Sequence, residues 1–549
     1  MQNLADKIFF NGKIHSMDSG KNVCQAMAIA DGRILDIGSN EEILKLKHEG
    51  TFLYDLEGKT VIPGLIDTHT HIFRVSVSEL FNEVFMPSSV QELLDYIKER
   101  VKTMKPGQWL YFRNIYPTRL KEYRYPTLQE LDEAAPNNPV YADGAYAGQA
   151  NSYALRLLGI DENTPNPPVG RFIRDRETGK LTGGLFLCSH MVQKLVGSNE
   201  FTVDDYKKGI QNIQMHYNKF GITSVIDGMT DETHIKAFNE LHNEGNLTVR
   251  IVMTCLATSM EAGKEKLKRL KSAINTPPEF GKLAFYKIMI DGGILTGTAY
   301  MRRPYNDKIG VFGIDIDDFK GLLQRNPEEI VDYIDTAYNS GLQMTAHCIG
   351  SGAIDVFLDA YESYNRKNSI HDRRFSILHC DFTDEKTLER IRNLNLFVLF
   401  QPAWHYCDAD VLSKVIDKDA LDSFQPYRLY NEMKINAAAG SDHMIKYDSL
   451  KSQNPYNPFH ALYNMVTRKT RHGITVGEEH KVSRVEALDF YTGKASAASF
   501  DEYLKGTLEV GKVADFAVLS DDYFNCNEEK IKDIEAVLTV VDGKIVYEK

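Results

Sequence analysis

The 549-residue sequence has only two tryptophans, seven cysteines, no block of like charge and no long hydrophobic run. Each scarcity excludes something. The cysteines (Cys24, Cys188, Cys255, Cys348, Cys380, Cys407, Cys526) are odd in number and form no C-x-x-C pair, which argues against a zinc ribbon or a disulfide framework and for reduced thiols. No apolar stretch reaches the roughly 18 to 20 residues that span a bilayer, and Met1 to Phe10 lacks the apolar core of a signal peptide. A cytoplasmic protein without a membrane partner is therefore expected. With 64 Lys and Arg against 76 Asp and Glu, net charge −12, there is no basic stripe for nucleic acid. The expected partner is a small-molecule substrate, and the chain is compatible with a homodimer.

What is present is ordinary in composition, 43% hydrophobic and 26% charged, over a length that holds one large domain with an appended one, or three ordinary domains. Both ends are rich in short strands. Lys7 to Phe10 and Lys13 to Met17 flank Asn11-Gly12, a hairpin signal, and Asp31-Gly32 and Asp542-Gly543 repeat the device. Neither end buries a core alone, so residues 1–60 and 486–549 are read as one composite β-sandwich domain.

Between them, apolar strand-like runs alternate with amphipathic stretches, the rhythm of β/α units around a parallel sheet. Eight candidate strands are Val61–Ile66, Ile222–Asp227, Val249–Cys255, Ala284–Ile290, Gln343–His347, Phe375–His379, Leu396–Gln401 and Ile435–Gly440. Eight units predict an α/β fold, a (β/α)8 TIM barrel over 61–485, with chemistry at the C-terminal ends of the strands. Residues 73–212 are too long for one connection and read as an insertion after the first barrel strand, its aromatics (Trp109, Tyr111, Phe112, Tyr116, Tyr146 among them) placed either in its own core or as a lid.

The strand ends are selective. His69 and His71 alternate with Thr70 and so project to one side of an extended chain. Lys287 lies inside the apolar run Phe285 to Ile290, where a lysine must pair, lose its charge or be modified. His347, His379 and Asp442 end the fifth, sixth and eighth strands. Singly, each has a structural reading: a packed histidine, a helix-capping aspartate, an ion-paired lysine. Together they form a nitrogen and oxygen set suited to zinc or a similar divalent metal.

The stretches Pro63 to His71, Lys287-x-x-x-Asp291-Gly292, Ala346 to Gly350, Leu378-His379-Cys380, Gln401-Pro402, Gly440-Ser441-Asp442 and Gly506 to Asp515 resemble the amidohydrolase superfamily, within it the family 3 group typified by N-substituted formamide deformylases. The resemblance spans nearly the whole chain. It implies that His69, His71, His347, His379 and Asp442 are metal ligands, that His379 and Asp442 take part in catalysis, and that Lys287 is carbamylated by CO2 to bridge two metals. An unmodified Lys287 would leave a single-metal site.

The chain departs from that pattern at four places. Asp143-Gly144-Ala145 lacks the usual histidine, a role open to Tyr146; Ser351-Gly352 replaces Asp-Arg; Leu378 stands for a usual Glu; His443-Met444 replaces a small residue and proline. Tyr146, Arg302, Tyr305, Trp404 and His443 are candidate substrate contacts, with Arg302, Arg303 and Tyr305 suited to an acidic or aromatic group and His443 to an oxyanion. The expected reaction is hydrolysis of a non-peptide amide-type C–N bond by metal-activated water. Rivals are a decarboxylase, deaminase or lactonase on the same site, and a non-catalytic regulator that keeps the barrel.

Overall fold

The computed structural model describes residues 4–80, 84–197, 200–306, 310–449 and 452–549, so Met1, Gln2 and Asn3 of the leaderless N-terminus expected above lie outside it. At its centre is an eight-stranded parallel sheet: β1 (Leu65–Thr70), β2 (Ile222–Asp227), β3 (Arg250–Leu256), β4 (Gly281–Met289), β5 (Gln343–Cys348), β6 (Ser376–His379), β7 (Phe397–Phe400) and β8 (Asn436–Ala439). Each strand pairs with the next in sequence, and most strand residues are buried because helices cover the outer face. The helices start where the sequence caps them. Thr202 and Asp231 form capping boxes for Val203–Asn218 and Glu232–Asn243, and Asn326 caps Pro327–Asn339 with proline in the first turn. Gly221 and Gly341 follow two of these helices at φ 76° and 70°, the left-handed region that ends a helix without Cβ strain.

β1 and β8 meet across a seam that closes the barrel. The Asp67 carboxylate accepts from the Ser441 amide (2.9 Å), the Ser441 hydroxyl (2.6 Å) and the His69 amide (3.1 Å). The Asp442 amide donates to the His69 carbonyl at 2.7 Å, and the His71 amide to the His443 carbonyl at 2.9 Å. Gly440 permits this approach, since a Cβ there would lie 2.5 Å from the His69 nitrogen.

Two local expectations are corrected. Val61–Ile66 is not one strand, because the hydrogen-bonding partner changes at Gly64. Thr60–Pro63 pairs with Lys13–Ile14 and with Phe516–Val518, whereas Leu65 donates to Gly221 and opens the barrel. Asn11-Gly12 does not make a hairpin either. Lys7–Phe10 joins a four-stranded sheet with Ala26–Ala30, Arg33–Gly38 and Phe52–Asp55. Lys13–His15 enters a six-stranded sheet with Val23–Cys24, Thr60–Pro63, Phe516–Leu519, Ala536–Val541 and Lys544–Glu548. The two sheets bury Phe9, Met27, Ile29, Phe516, Val518 and Leu538 between them, and burying that apolar area outweighs local pairing across one turn. Arg250 of β3 ties them to the barrel through Asp515 (2.7 and 3.0 Å) and Asp542 (3.3 Å).

The segment after β1 builds a five-stranded sheet of Leu110–Arg113, Val140–Asp143, Ala147–Ala150, Arg171–Arg174 and Leu181–Phe186. Its side chains share one cavity with the barrel's strand ends. All seven cysteines are free. Among the described residues, no helix is long and apolar enough to cross a membrane.

Candidate metal centre and its cavity

The seam positions the first three groups. With β1 and the residues after β8 joined backbone to backbone, Asp442 Oδ1 comes to 3.3 Å from His69 Nε2 and 3.4 Å from His71 Nε2. Among the described residues, these three form a group whose ligating atoms all lie within 4.8 Å of one another. His379 stands beside them, its ring centroid 5.5 Å from that of His69, and His347 lies 4.5 Å beyond His379. Lys287 of β4 faces the same cavity as these five residues.

Partners orient the rings. His379 Nδ1 donates to Gln401 Oε1 at 2.6 Å, and His347 Nε2 donates to the Gly292 carbonyl at 3.0 Å, which leaves a lone pair on His379 Nε2 and on His347 Nδ1. The latter accepts from the Tyr146 hydroxyl at 3.2 Å. Burial pushes His69 and His347 down to about 3 and His379 well below its usual range, so the imidazoles are neutral. Burial raises the Asp442 carboxyl, but the His69 and His71 rings beside it outweigh that and hold the group well below the usual carboxylate range. Lys287 falls to about 8 through burial, opposed by Asp442 and Asp227. Among the described residues, no carboxylate forms an ion pair with it.

Three residues here adopt left-handed backbone: His379 (φ 72°), Cys380 (52°) and Asp442 (54°). Such angles cost on the order of 1–3 kcal/mol each and persist where surrounding structure imposes them, commonly at functional sites.

A divalent cation fits this donor set. His69 Nε2 and His71 Nδ1 are buried without a hydrogen-bond partner. Of these, His69 Nε2 is crowded against the Asp442 carboxylate, and a neutral ring nitrogen in that position is satisfied when a cation lies between the two. Imidazole and carboxylate ligands suit zinc and its neighbours.

Of the expected substrate contacts, Tyr146 and Trp404 line the cavity, Trp404 stacking on His379 at 4.8 Å. Three others are corrected. His443 is fully buried with both ring nitrogens engaged, Nε2 donating to the Lys446 carbonyl (2.6 Å) and Nδ1 accepting from Tyr217 (2.9 Å). Arg302 is held by Asp355, Asp384 and Thr387 outside the cavity, and Arg303 by Asp417 and Asp419. Tyr305 packs against Phe312 and Phe319 and donates to the Ala299 carbonyl. Residues near in sequence to a strand end were diverted by the loop that carries them.

Several residues without an expected role shape the site. Gln401 orients His379. Asp291 accepts amides of Tyr300, Ile349 and Gly350 (2.9, 3.0 and 2.8 Å), holding the loop after β5. Asn454 Nδ2 donates to the Asp442 carbonyl at 2.8 Å. Gly228 leaves room for the histidine rings, and no side-chain pattern signals it. The cavity above measures about 1170 Å3, and Arg74, Tyr111, Arg113 and Tyr116 form part of its wall. Ala145, where a histidine is usual, lines it as well.

Comparison with known proteins agrees with this architecture. The chain is 29% identical to Protein LONG AFTER FAR-RED 3 of Arabidopsis thaliana, over 99% of this chain and 92% of that protein. It is 25% identical to the N-substituted formamide deformylase of Arthrobacter pascens, over 100% of this chain and 99% of the relative. A crystal structure of an uncharacterized metal-dependent hydrolase from Pyrococcus horikoshii shares the fold, with TM-score 0.68 and 22% identity over 95% of this chain and 99% of that one. The sequence model described as the amidohydrolase family matches residues 53–547, and the chain belongs to that family of metal-dependent hydrolases.

Proposed function

We propose that the protein hydrolyses a non-peptide amide-type C–N bond, that of an N-acyl or N-formyl amine or a cyclic amide, with a zinc-like divalent ion held by His69, His71, His347, His379 and Asp442. The observation that carries this reading is the meeting of His69, His71 and Asp442 at the closed seam, where the His69 Nε2 that faces the carboxylate is buried without a hydrogen-bond partner. A divalent ion held there would lower the pKa of a water towards neutrality and polarise a carbonyl.

The chain's own groups do the rest. Asp442 accepts the proton of the attacking water and returns it to the leaving nitrogen, so that amide and water become acid and amine. Its two histidine neighbours keep it ionised for the first transfer. Tyr146, whose hydroxyl stands 3.2 Å from His347 Nδ1, would be released to donate towards the substrate carbonyl once that nitrogen holds the ion. Trp404, stacked on His379, excludes water from that ring's face.

Lys287 is the proposed carbamate: its amine adds CO2, loses a proton and becomes an anionic oxygen ligand. Support for this is a buried lysine without a carboxylate partner, facing the cavity beside the other ligands.

The test is metal analysis of the purified protein, followed by assay of N-formyl amines, acyl amides, hydantoins and lactones with and without a chelator. Metal-dependent release of amine is expected. A metal-free protein indifferent to chelation would overturn the enzyme reading, and turnover of lactones alone would move it to C–O bonds.

A further inference from the structure

The cavity holds an electrostatic imbalance that the chemistry above does not use. Arg74 follows His71 by three residues, on the short helix Ile72–Ser76, and lines the cavity with Arg113 from the edge of the five-stranded sheet. Five other arginines are matched by carboxylates, Arg119 with Asp408, Arg124 with Glu130, Arg250 with Asp515, Arg302 with Asp355 and Arg374 with Glu502, and the fully buried Arg468 is held by backbone carbonyls. Among the described residues, neither Arg74 nor Arg113 has a carboxylate or hydrogen-bond partner; Arg113 only lies over the Tyr111 ring at 5.4 Å.

The cavity's own carboxylates are committed elsewhere. Asp143 accepts from the Ser189 hydroxyl (2.8 Å), the Ala145 amide (2.8 Å) and the Tyr111 hydroxyl. Asp231 caps the helix of His234, accepting that residue's amide at 3.1 Å. Asp442 belongs to the metal centre. Burial and the nearby Arg113 push the Arg74 guanidinium down and outweigh Asp143, which acts on it from a distance without pairing. Arg74 is half-buried and Arg113 exposed at the cavity's edge, so an anion bound between them would relieve their mutual repulsion with one of its contacts shielded from water. The wall beside them is aromatic, with Trp109, Tyr111, Phe112 and Tyr116.

We propose that the substrate is an amide that also carries a carboxylate, bound by Arg74 and Arg113 while an apolar group lies against the aromatic wall and the scissile bond sits at the strand ends. This rests on the amide-hydrolase reading and narrows its substrate class. Arg74 lies three residues past a proposed ligand, so the carboxylate and the bond to be cut belong to one small molecule rather than to distant parts of a polymer.

Matched probes test it on the metal-loaded protein: N-acetylphenylalanine and N-acetylphenethylamine, which differ only by the carboxylate. Binding is measured by calorimetry and hydrolysis by amine release. The unsubstituted protein should prefer the acid. Arg74→Gln and Arg113→Gln should each reduce that preference by about tenfold or more, the size expected for one charged hydrogen bond, with Arg74→Lys recovering part of it. Equal binding of the two probes by the unsubstituted protein, or a preference untouched in both glutamine variants, overturns the proposal. The two readings fail separately: Arg74-dependent binding of the acid without hydrolysis keeps the anion site and removes the amidase, while hydrolysis indifferent to the carboxylate does the reverse. If Arg74→Gln misfolds by circular dichroism, Arg113→Gln and Arg74→Lys decide.

Discussion

Gly228 gives the histidines of the centre their space: a Cβ at this position would press on the His69 ring and lie 2.8 Å from Cε1 of His71. Both rings are buried, and the added Cβ would meet their ring atoms directly. Gly228→Ala is therefore expected to displace the pair rather than be absorbed, with an overpacking cost of about 1–3 kcal/mol. The expected outcome is a folded protein with strongly reduced metal content, read by elemental analysis beside a melting curve. Full metal retention would show that the rings need no such clearance.

The 2.6 Å bond from His379 to Gln401 predicts a milder effect. Gln401→Leu keeps the volume and removes the acceptor that sets the ring's tautomer. Groups in this position are typically worth about 10–100-fold in metal affinity or activity. A metal titration of the variant against a competing chelator measures it, and an unchanged affinity would assign Gln401 to packing alone.

For Lys287, the carbamate reading requires a carboxylated side chain in the native protein and none after acid denaturation. Isotope-labelled CO2 should give a carbon resonance that is absent from Lys287→Ala. That variant should lose activity by more than the roughly 100-fold upper range for groups behind the ligands, with partial recovery on adding a small carboxylic acid. Full activity in the variant would leave a centre that works without the lysine.

The pair of Arg250 with Asp515 carries a prediction about stability. Both side chains are buried, and Asp542 adds a second contact at 3.3 Å. Asp515→Ala leaves a buried guanidinium poorly compensated, a loss of about 3–5 kcal/mol. Denaturant unfolding should register it, while metal content, set at the opposite end of the strands, should not change. A shift below about 1 kcal/mol would mean that water or Asp542 replaces the lost partner.

The sequence by itself determined the barrel and most of its ligating residues. Apolar runs at regular intervals, helix caps such as Thr202 and Asn326, and polar residues ending those runs are local signals, and parallel strands buried on both faces leave them little ambiguity. What crosses between elements was not legible. The turn at Asn11-Gly12 promised a hairpin and instead divides two sheets, since the gain in buried area lies with partners from the far end of the chain. Arg302, Tyr305 and His443 stand near the right strand ends in sequence, yet their loops turn them to Asp355, Ala299 and Lys446. Conversely Arg74 and Arg113 reach one cavity from a short helix and from a sheet edge, and only the closed seam of Asp67 with Ser441 brings Asp442 against His69 and His71. Strand periodicity decides which side chains face one way; which cation lacks an anion, and which glycine must be bare, depends on distances that exist only once the chain has closed on itself.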